Sequence, residues 1–152
     1  MDHLPSWLLT QVSLHAQRLV AEGFAGSGAR GHHFRLLDSL ITGGPASQAA
    51  LGRRTGIHLS DLVGALNELE SGGFVRRSPD PADKRRNVVT VTETGRERAA
   101  ELGVRVAGVQ AELLAPLSEG EREQLAGLLR RLLEHHGGPG TDRPGPAAAW
   151  RP

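Results

Sequence analysis

Residues 83–95 read Asp-Lys-Arg-Arg-Asn-Val-Val-Thr-Val-Thr-Glu-Thr-Gly, a cationic cluster running directly into a strand of period two. Val89 and Val91 share one face, as a half-buried strand requires. Phe74 to Arg77 supplies an antiparallel partner, reached across a loop from Ser78 to Arg86 that holds Pro79 and Pro81. Proline has no amide to donate to a ladder, so both argue against strand continuing there. The expectation is a two-stranded ribbon with a long basic tip, a wing. From Arg76 to Arg98 seven cations (Lys84, the single lysine, among them) stand against four carboxylates, a local +3 in a chain of formal net charge +1. Any attraction for nucleic acid must therefore come from this patch.

Upstream of the ribbon the pattern is helical. Ser47 can cap a short helix from Gln48 to Arg54. Thr55-Gly56-Ile57 makes a tight turn, and a second helix follows from about Leu59 to Gly72 with Leu62, Leu66 and Leu69 inward. Leu51, Ile57, Leu62 and Ala65 are placed to join the two helices, and Gly52 falls where a Cβ is expected to push them apart. This is a helix–turn–helix.

Outward from that centre, Leu4, Leu8, Val12, His15 and Leu19 form one stripe over residues 4–20. Gly23 and the Gly26-Ser27-Gly28 cluster are expected to end that helix. Another helix runs from about Gly31 to Ile41, with Phe34, Leu37 and Ile41 on one face, and breaks at Gly43-Gly44-Pro45. Thr92 caps a helix reaching about Leu114, whose seam is Ala99, Leu102, Val106, Val109 and Leu113. Ala100, Val104, Ala107, Ala111 and Leu114 make it apolar on a second face, which calls for a second neighbour. Ser118 to Glu121 is a capping box opening a last helix with Leu125, Leu128, Leu129, Leu132 and Leu133. Residues 137–152 collapse to Gly, Pro and Ala and are expected to be disordered.

Composition narrows the function classes. A chain of 152 residues suits one domain or two small lobes, and 3% aromatic content without Tyr leaves a core of Leu, Val and Ala, favouring helices. Without cysteine there are no disulfides, no thiol catalysis and no thiolate zinc site. No apolar run approaches a membrane span of about 18 residues, and no signal peptide is visible at the N-terminus, so a cytoplasmic protein is expected. A glycine-rich phosphate loop, a paired-carboxylate site and a nucleophile motif are all missing, so neither an enzyme nor a cofactor is expected. Zinc held by His3, His15, His32 and His33 lacks a helical ligand pair within reach of a cysteine, and no metal is expected.

The order helix, helix, helix–turn–helix, wing, long helix, helix resembles the MarR (multiple antibiotic resistance regulator) family of winged-helix transcription factors. Carrying the resemblance are Ser47 to Leu51, the exit from Leu69 through Gly73, Val75 to Arg77, and Asp80 to Arg85 leading into Val89 through Gly95. It spans residues 4–136 in architecture and is sharpest over 45–98. The fold class expected is mainly α with a small β-wing. Residues 1–42 and 93–136 would be dimerisation helices, 43–92 the DNA-binding lobe and 137–152 the tail.

The resemblance implies a homodimer on a palindromic operator and an effector pocket between that lobe and the dimer helices. It also implies that Asp83 braces the wing and that Arg85 enters a minor groove, whose narrow form favours arginine. One departure stands out. The family commonly has Asp where this chain has His58, and from Leu59 to Glu70 there is no Arg or Lys. Arginine–guanine contacts cannot come from that helix. Base reading would fall to Ser60, Asp61, Gly64 and Asn67.

Each candidate carries a plainer reading. Lys84, Arg85 and Arg86 at a loop tip are otherwise a solvated turn. Arg53 and Arg54 complement a helix dipole or contact phosphate. Ser47 and Ser60 cap helices, contact phosphate, or do both. Of Arg76 and Arg77, on alternate sides of a strand, at most one faces DNA, and Arg77 is taken. His15, Arg30 and His33 are the ligand candidates, for an aromatic anion; alternatively His15 is a core residue and His32 and His33 a surface pair. The role expected is repression relieved by a small molecule. The alternative is a winged-helix ligand-sensing or protein-interaction module that binds no operator.

Overall fold

The computed structural model describes residues 3–137, so the expected tail, Gly137 aside, lies outside the described residues. In order the elements are α1 (Pro5–Phe24), α2 (Gly31–Gly43), α3 (Gln48–Thr55), α4 (Leu59–Ser71), β1 (Val75–Pro79), β2 (Asn87–Val91), α5 (Glu93–Leu113) and α6 (Glu119–His136). They fall into two compact units, one ending at Leu113 and the other starting at Leu114.

In the first unit, α2 crosses the centre. Leu36, Leu37 and Leu40 of α2 are fully buried with Leu51 of α3, Leu62 and Leu66 of α4, Val89 of β2 and Leu102 of α5. The buried face of α2 is thus turned from the expected one: Phe34 and Ile41 only pack against the core from its margin. Leu51, Ile57, Leu62 and Ala65 join α3 to α4 as expected. Gly52, however, is not a tight spot. A Cβ there would sit 3.8 Å from Leu62 Cδ2 and 3.9 Å from the Ile57 carbonyl, ordinary van der Waals contact. Gly56 does what a turn glycine must, with φ at 66°.

Gly23 is the next-to-last residue of α1, so the helix ends where expected. A Cβ on Gly23 would come 2.5 Å from Val109 Cγ2, so the glycine lets α1 approach α5 closely. The helix stops at Phe24, which is buried, and α5 completes its end: Arg105 donates to the Gly23 carbonyl at 3.1 Å and Arg98 to that of Ser27. The Gly23 carbonyl, left over at the helix end, is thereby satisfied, and Arg98 secures the loop beyond it.

β1 and β2 pair antiparallel, with Val75 opposite Val91 and Pro79 opposite Asn87. Strand therefore persists through Pro79, two residues beyond the expected end at Arg77; a terminal proline takes nothing from the ladder, and Asp80 N resumes it by donating to the Arg86 carbonyl at 2.8 Å. Pro81 lies in the loop. Ala46 adds a bridge on the other side of β2, exchanging two backbone hydrogen bonds with Val89 at 3.2 and 2.8 Å. Thr92 caps α5 as expected, its hydroxyl accepting from Gly95 N at 3.0 Å. Along α5, Ala99, Leu102 and Val109 are buried, whereas Ala100, Ala107 and Ala111 are exposed and Val104 is 75% exposed.

The second unit is α6 and the turn before it. Ser118 and Glu121 form the expected reciprocal cap: the Ser118 amide donates to Glu121 Oε2 at 2.8 Å, and Ser118 Oγ accepts from the Glu121 amide. Leu128, Leu132 and Leu133 are exposed on this helix. Among the described residues no helix is long and apolar enough to cross a membrane.

Candidate nucleic-acid interface

The wing tip is shaped by two aspartates. Asp80 Oδ1 accepts from Ala82 N at 2.9 Å, and Asp83 Oδ1 accepts from Arg85 N at 3.0 Å. These Asx turns fold the loop locally and aim its side chains outward. Arg86 Nε lies 3.9 Å from Asp83 Oδ2, a loose pair. Lys84 and Arg85 are exposed, and among the described residues no hydrogen bond or ion pair occupies their side chains. The bracing expected of Asp83 is therefore visible in the geometry.

On α4 the exposed side carries Leu59, Ser60, Asp61, Gly64 and Asn67. His58 is the N-cap, its Nδ1 facing the Ser60 amide at 3.5 Å and Ser60 Oγ at 3.0 Å. An imidazole nitrogen here fills the acceptor role that an aspartate oxygen would fill. Ser60 is thus drawn into the cap, while Asp61 and Gly64 have open surroundings.

Three other candidates are committed within the fold. Arg77 donates from its backbone to Glu70 Oε1 at 3.1 Å, from Nη1 to Glu70 Oε2 at 2.5 Å, and from Nη2 to Asn67 Oδ1 at 3.0 Å. The two bonds to Glu70, the backbone one first, hold its carboxyl below the ordinary range. Arg77 thus straps the ribbon to α4, and Asn67 keeps only its amide NH2 to offer outward. Arg54 donates to the Gly44 carbonyl at 3.2 Å, at the end of α2, which leaves Arg53 as the uncommitted member of that pair. Ser47 caps α3, accepting from Ala50 N at 3.2 Å.

Beside this face lies a cavity of about 240 Å³ whose lining includes Arg30, His33, Glu68, Leu69, Phe74 and Arg98. Glu68 is gripped twice, by Arg30 Nη2 at 2.8 Å and by His33 Nε2 at 2.7 Å. His33 is not half of a surface pair; its side chain is 7% exposed. Its tautomer follows from its neighbours. Nδ1 accepts from Arg30 N at 3.2 Å, so the neutral ring carries its proton on Nε2 and donates it to Glu68. His15 is elsewhere, exposed on α1 with Nδ1 2.8 Å from Arg18 Nη2. Arg30 and His33 therefore come together, and His15 does not join them. Sequence reading missed Glu68, Phe74 and Arg98, because their partners lie tens of residues away. A second depression, about 260 Å³, is walled by Phe24, Phe34, Val106 and Val109 between α1, α2 and α5.

Burial lowers the pKa of His33, outweighing the opposing hydrogen bond and charge of Glu68; Arg30 and Arg98 lower it further. A histidine with a depressed folded pKa binds more protons when unfolded, so stability is full above about 6.5 and falls as pH drops through the folded pKa. Protonation at Nδ1 also breaks the bond from Arg30 N. Thermal midpoints should therefore fall more steeply below about pH 6.5 in the wild type than in His33→Asn. Parallel curves for the two proteins would refute this.

Helix–turn–helix, capped probe helix and basic antiparallel ribbon together define a winged-helix protein. Residues 27–86 match the model of the MarR family. A probable transcriptional regulator from Pseudomonas aeruginosa superposes with a TM-score of 0.77 at 33% identity, over 86% of this chain and 98% of that one. A cysteine-to-serine variant of MarR from E. coli, complexed with operator DNA, superposes with a TM-score of 0.74 at 26% identity, over 84% and 92%. The transcriptional repressor NicR from Pseudomonas putida is 34% identical over 104 residues, 66% of this chain and 64% of its own length. The chain spans between 52% and 64% of the length of the curated relatives it matches. The chain belongs to the MarR family.

Proposed function

We propose that this protein is a transcriptional regulator that binds a palindromic operator as a homodimer, represses there, and lets go when a small anionic effector binds. The observation that carries the reading is the wing: Lys84 and Arg85 project unpaired from a tip held by Asp80 and Asp83, beside an exposed α4. Arg85 enters the minor groove, and Lys84, Arg86 and Arg53 contact phosphates. Ser60, Asp61, Gly64 and Asn67 face the major groove, with affinity supplied chiefly by the cations. Arg77 serves by holding the wing in place. Dimerisation uses the exposed apolar positions of α1, including Trp7, Leu8 and Val12, with those of α6. Two α4 helices must then sit in successive grooves, about 34–36 Å apart. An effector held by Arg30 and His33 shifts the dimer toward a spacing that no longer fits. Repression accords with the relative NicR, whose name describes a transcriptional repressor.

Selection of bound duplexes from a random pool tests the reading. A palindrome with half-sites about one helical turn apart, bound with steep salt dependence, is expected. The α4 face, which carries Asp61 and no Arg or Lys, favours a second reading, a ligand-sensing or protein-interaction module. Enrichment of no sequence over random duplex would establish that one instead.

A further inference from the structure

Two groups on the exposed side of α4 have lost part of their hydrogen-bonding capacity to the fold itself. Ser60, Gly64 and Asn67 follow one another at spacings of four and three, in one line along the helix. Asn67 faces Arg77, and a guanidinium has no acceptor, so the amide atom 3.0 Å from Nη2 must be Oδ1. Arg77 is held in turn: its side chain is 17% exposed, and Nη1 and the backbone amide both donate to Glu70. With Oδ1 turned to the ribbon, Asn67 presents its NH2 outward, a donor. The opposite holds at the start of the helix. His58 Nδ1 faces the Ser60 amide, itself a donor, so the neutral ring accepts there, and the Ser60 hydroxyl gives its hydrogen to the same nitrogen at 3.0 Å. Ser60 Oγ keeps only lone pairs outward, and the Asp61 carboxylate beside it only accepts. Gly64 lies between the two ends with nothing within 4 Å of its Cβ position, so a base edge can come close.

We propose that these internal bonds set the base order of the operator half-site: Ser60 and Asp61 read an amino-bearing base, cytosine or adenine, and Asn67 reads a guanine about three base pairs further on. The inference rests on the regulator reading above, in which α4 lies in the major groove. Cytosine N4 and adenine N6 are the donors displayed there, and groups that only accept suit them. A carboxylate at the front of a DNA-facing helix is repelled by phosphate, and an amino group is the partner that offsets the cost. At the other end, the two hydrogens of Asn67 Nδ2 suit O6 and N7 of guanine. Adenine, the usual bidentate partner of asparagine, needs Oδ1 for its N6 amino group, and Oδ1 is taken by Arg77. Guanine is thereby read by a helix without Arg or Lys. The offset follows from helix geometry: seven residues from Ser60 to Asn67 rise about 10.5 Å, close to three base-pair steps of about 3.4 Å. Glu70 is then a positioning residue for specificity, since it fixes Arg77 and through it the Asn67 amide.

Parallel selections of bound duplexes from a random pool, with the full-length wild type and its variants, test this. Asn67→Asp keeps an oxygen on Arg77 and turns the outward group from donor to acceptor. One position of the half-site should change from guanine to adenine or cytosine, by about tenfold in relative affinity, whatever the added charge does to affinity overall. Asp61→Asn adds a donor; it should relax a different position, about three base pairs away, and leave the guanine untouched. Both residues are exposed, so both variants should fold, which thermal denaturation checks. Asn67→Ala, which should erase the guanine preference, stands in where Asn67→Asp does not fold. An unchanged preference in Asn67→Asp would overturn the proposal. So would adenine at that position in the wild type, or both variants altering the same base pair. A palindrome enriched identically by wild type and Asn67→Asp defeats the base order alone. Enrichment of no sequence by the wild type defeats the regulator reading, and the base order with it.

Discussion

Gly95→Ala should cost about 3 kcal/mol of stability and lower the thermal midpoint by roughly 10 °C. A Cβ at this position would lie inside the van der Waals envelope of the Phe74 carbonyl oxygen and 2.8 Å from Val91 Cγ2. Rotating a side chain cannot relieve such a clash, since the obstacle is backbone. That backbone is also pinned. The hydroxyls of Thr92 and Thr94 donate to the Gly73 carbonyl at 2.7 and 2.9 Å, and Thr92 N donates to Phe74 O at 3.0 Å. Yielding would mean pulling β1 away from α5. Gly64→Ala is the matched control: nothing lies within 4 Å of its Cβ position, and a mid-helix glycine replaced by alanine should gain up to about 1 kcal/mol. Denaturant midpoints of the two variants should move in opposite directions. A Gly95→Ala midpoint equal to wild type would show that the corner is loose.

Arg85→Ala should lower affinity for operator and random duplex alike by about tenfold near 0.15 M salt, and reduce the salt slope by about one unit per chain. The uniformity is the diagnostic part, because a charge in a minor groove senses width more than base identity. Folding should be unaffected, since the Asp83 turn uses the Arg85 amide and not its guanidinium. Titrations at several salt concentrations decide the matter. An unchanged slope would remove the wing from the binding surface.

Much of the architecture was legible because its signals are local. The leucine spacing of α4, Gly56 in the turn, Ser47 and Thr92 as caps, and the alternation of Val89 and Val91 each depend on a few consecutive residues. What escaped was set by distance. His32 and His33 look alike in sequence, yet only His33 is buried, because α2 turns Leu36, Leu37 and Leu40 inward. Ala46 bridges Val89 without any alternation to announce it. Among the cations, residue type suggested several equivalent contacts. Arg54 and Arg77 proved tied to Gly44 and Glu70 by bonds across the fold, while Lys84 and Arg85 stayed unattached. Charge in a sequence marks availability only until tertiary partners are known.

The strap that Arg77 forms to Glu70 and Asn67 turns ribbon and helix into one lever. β1 has five residues, about 16 Å at a strand's rise, so pivoting α4 by roughly 10° sweeps the ribbon's far end about 3 Å. Three ångströms is as long as a hydrogen bond. On the proposed mode of DNA binding, a tilt of α4 would loosen the outermost arginine first, before any residue near the fulcrum.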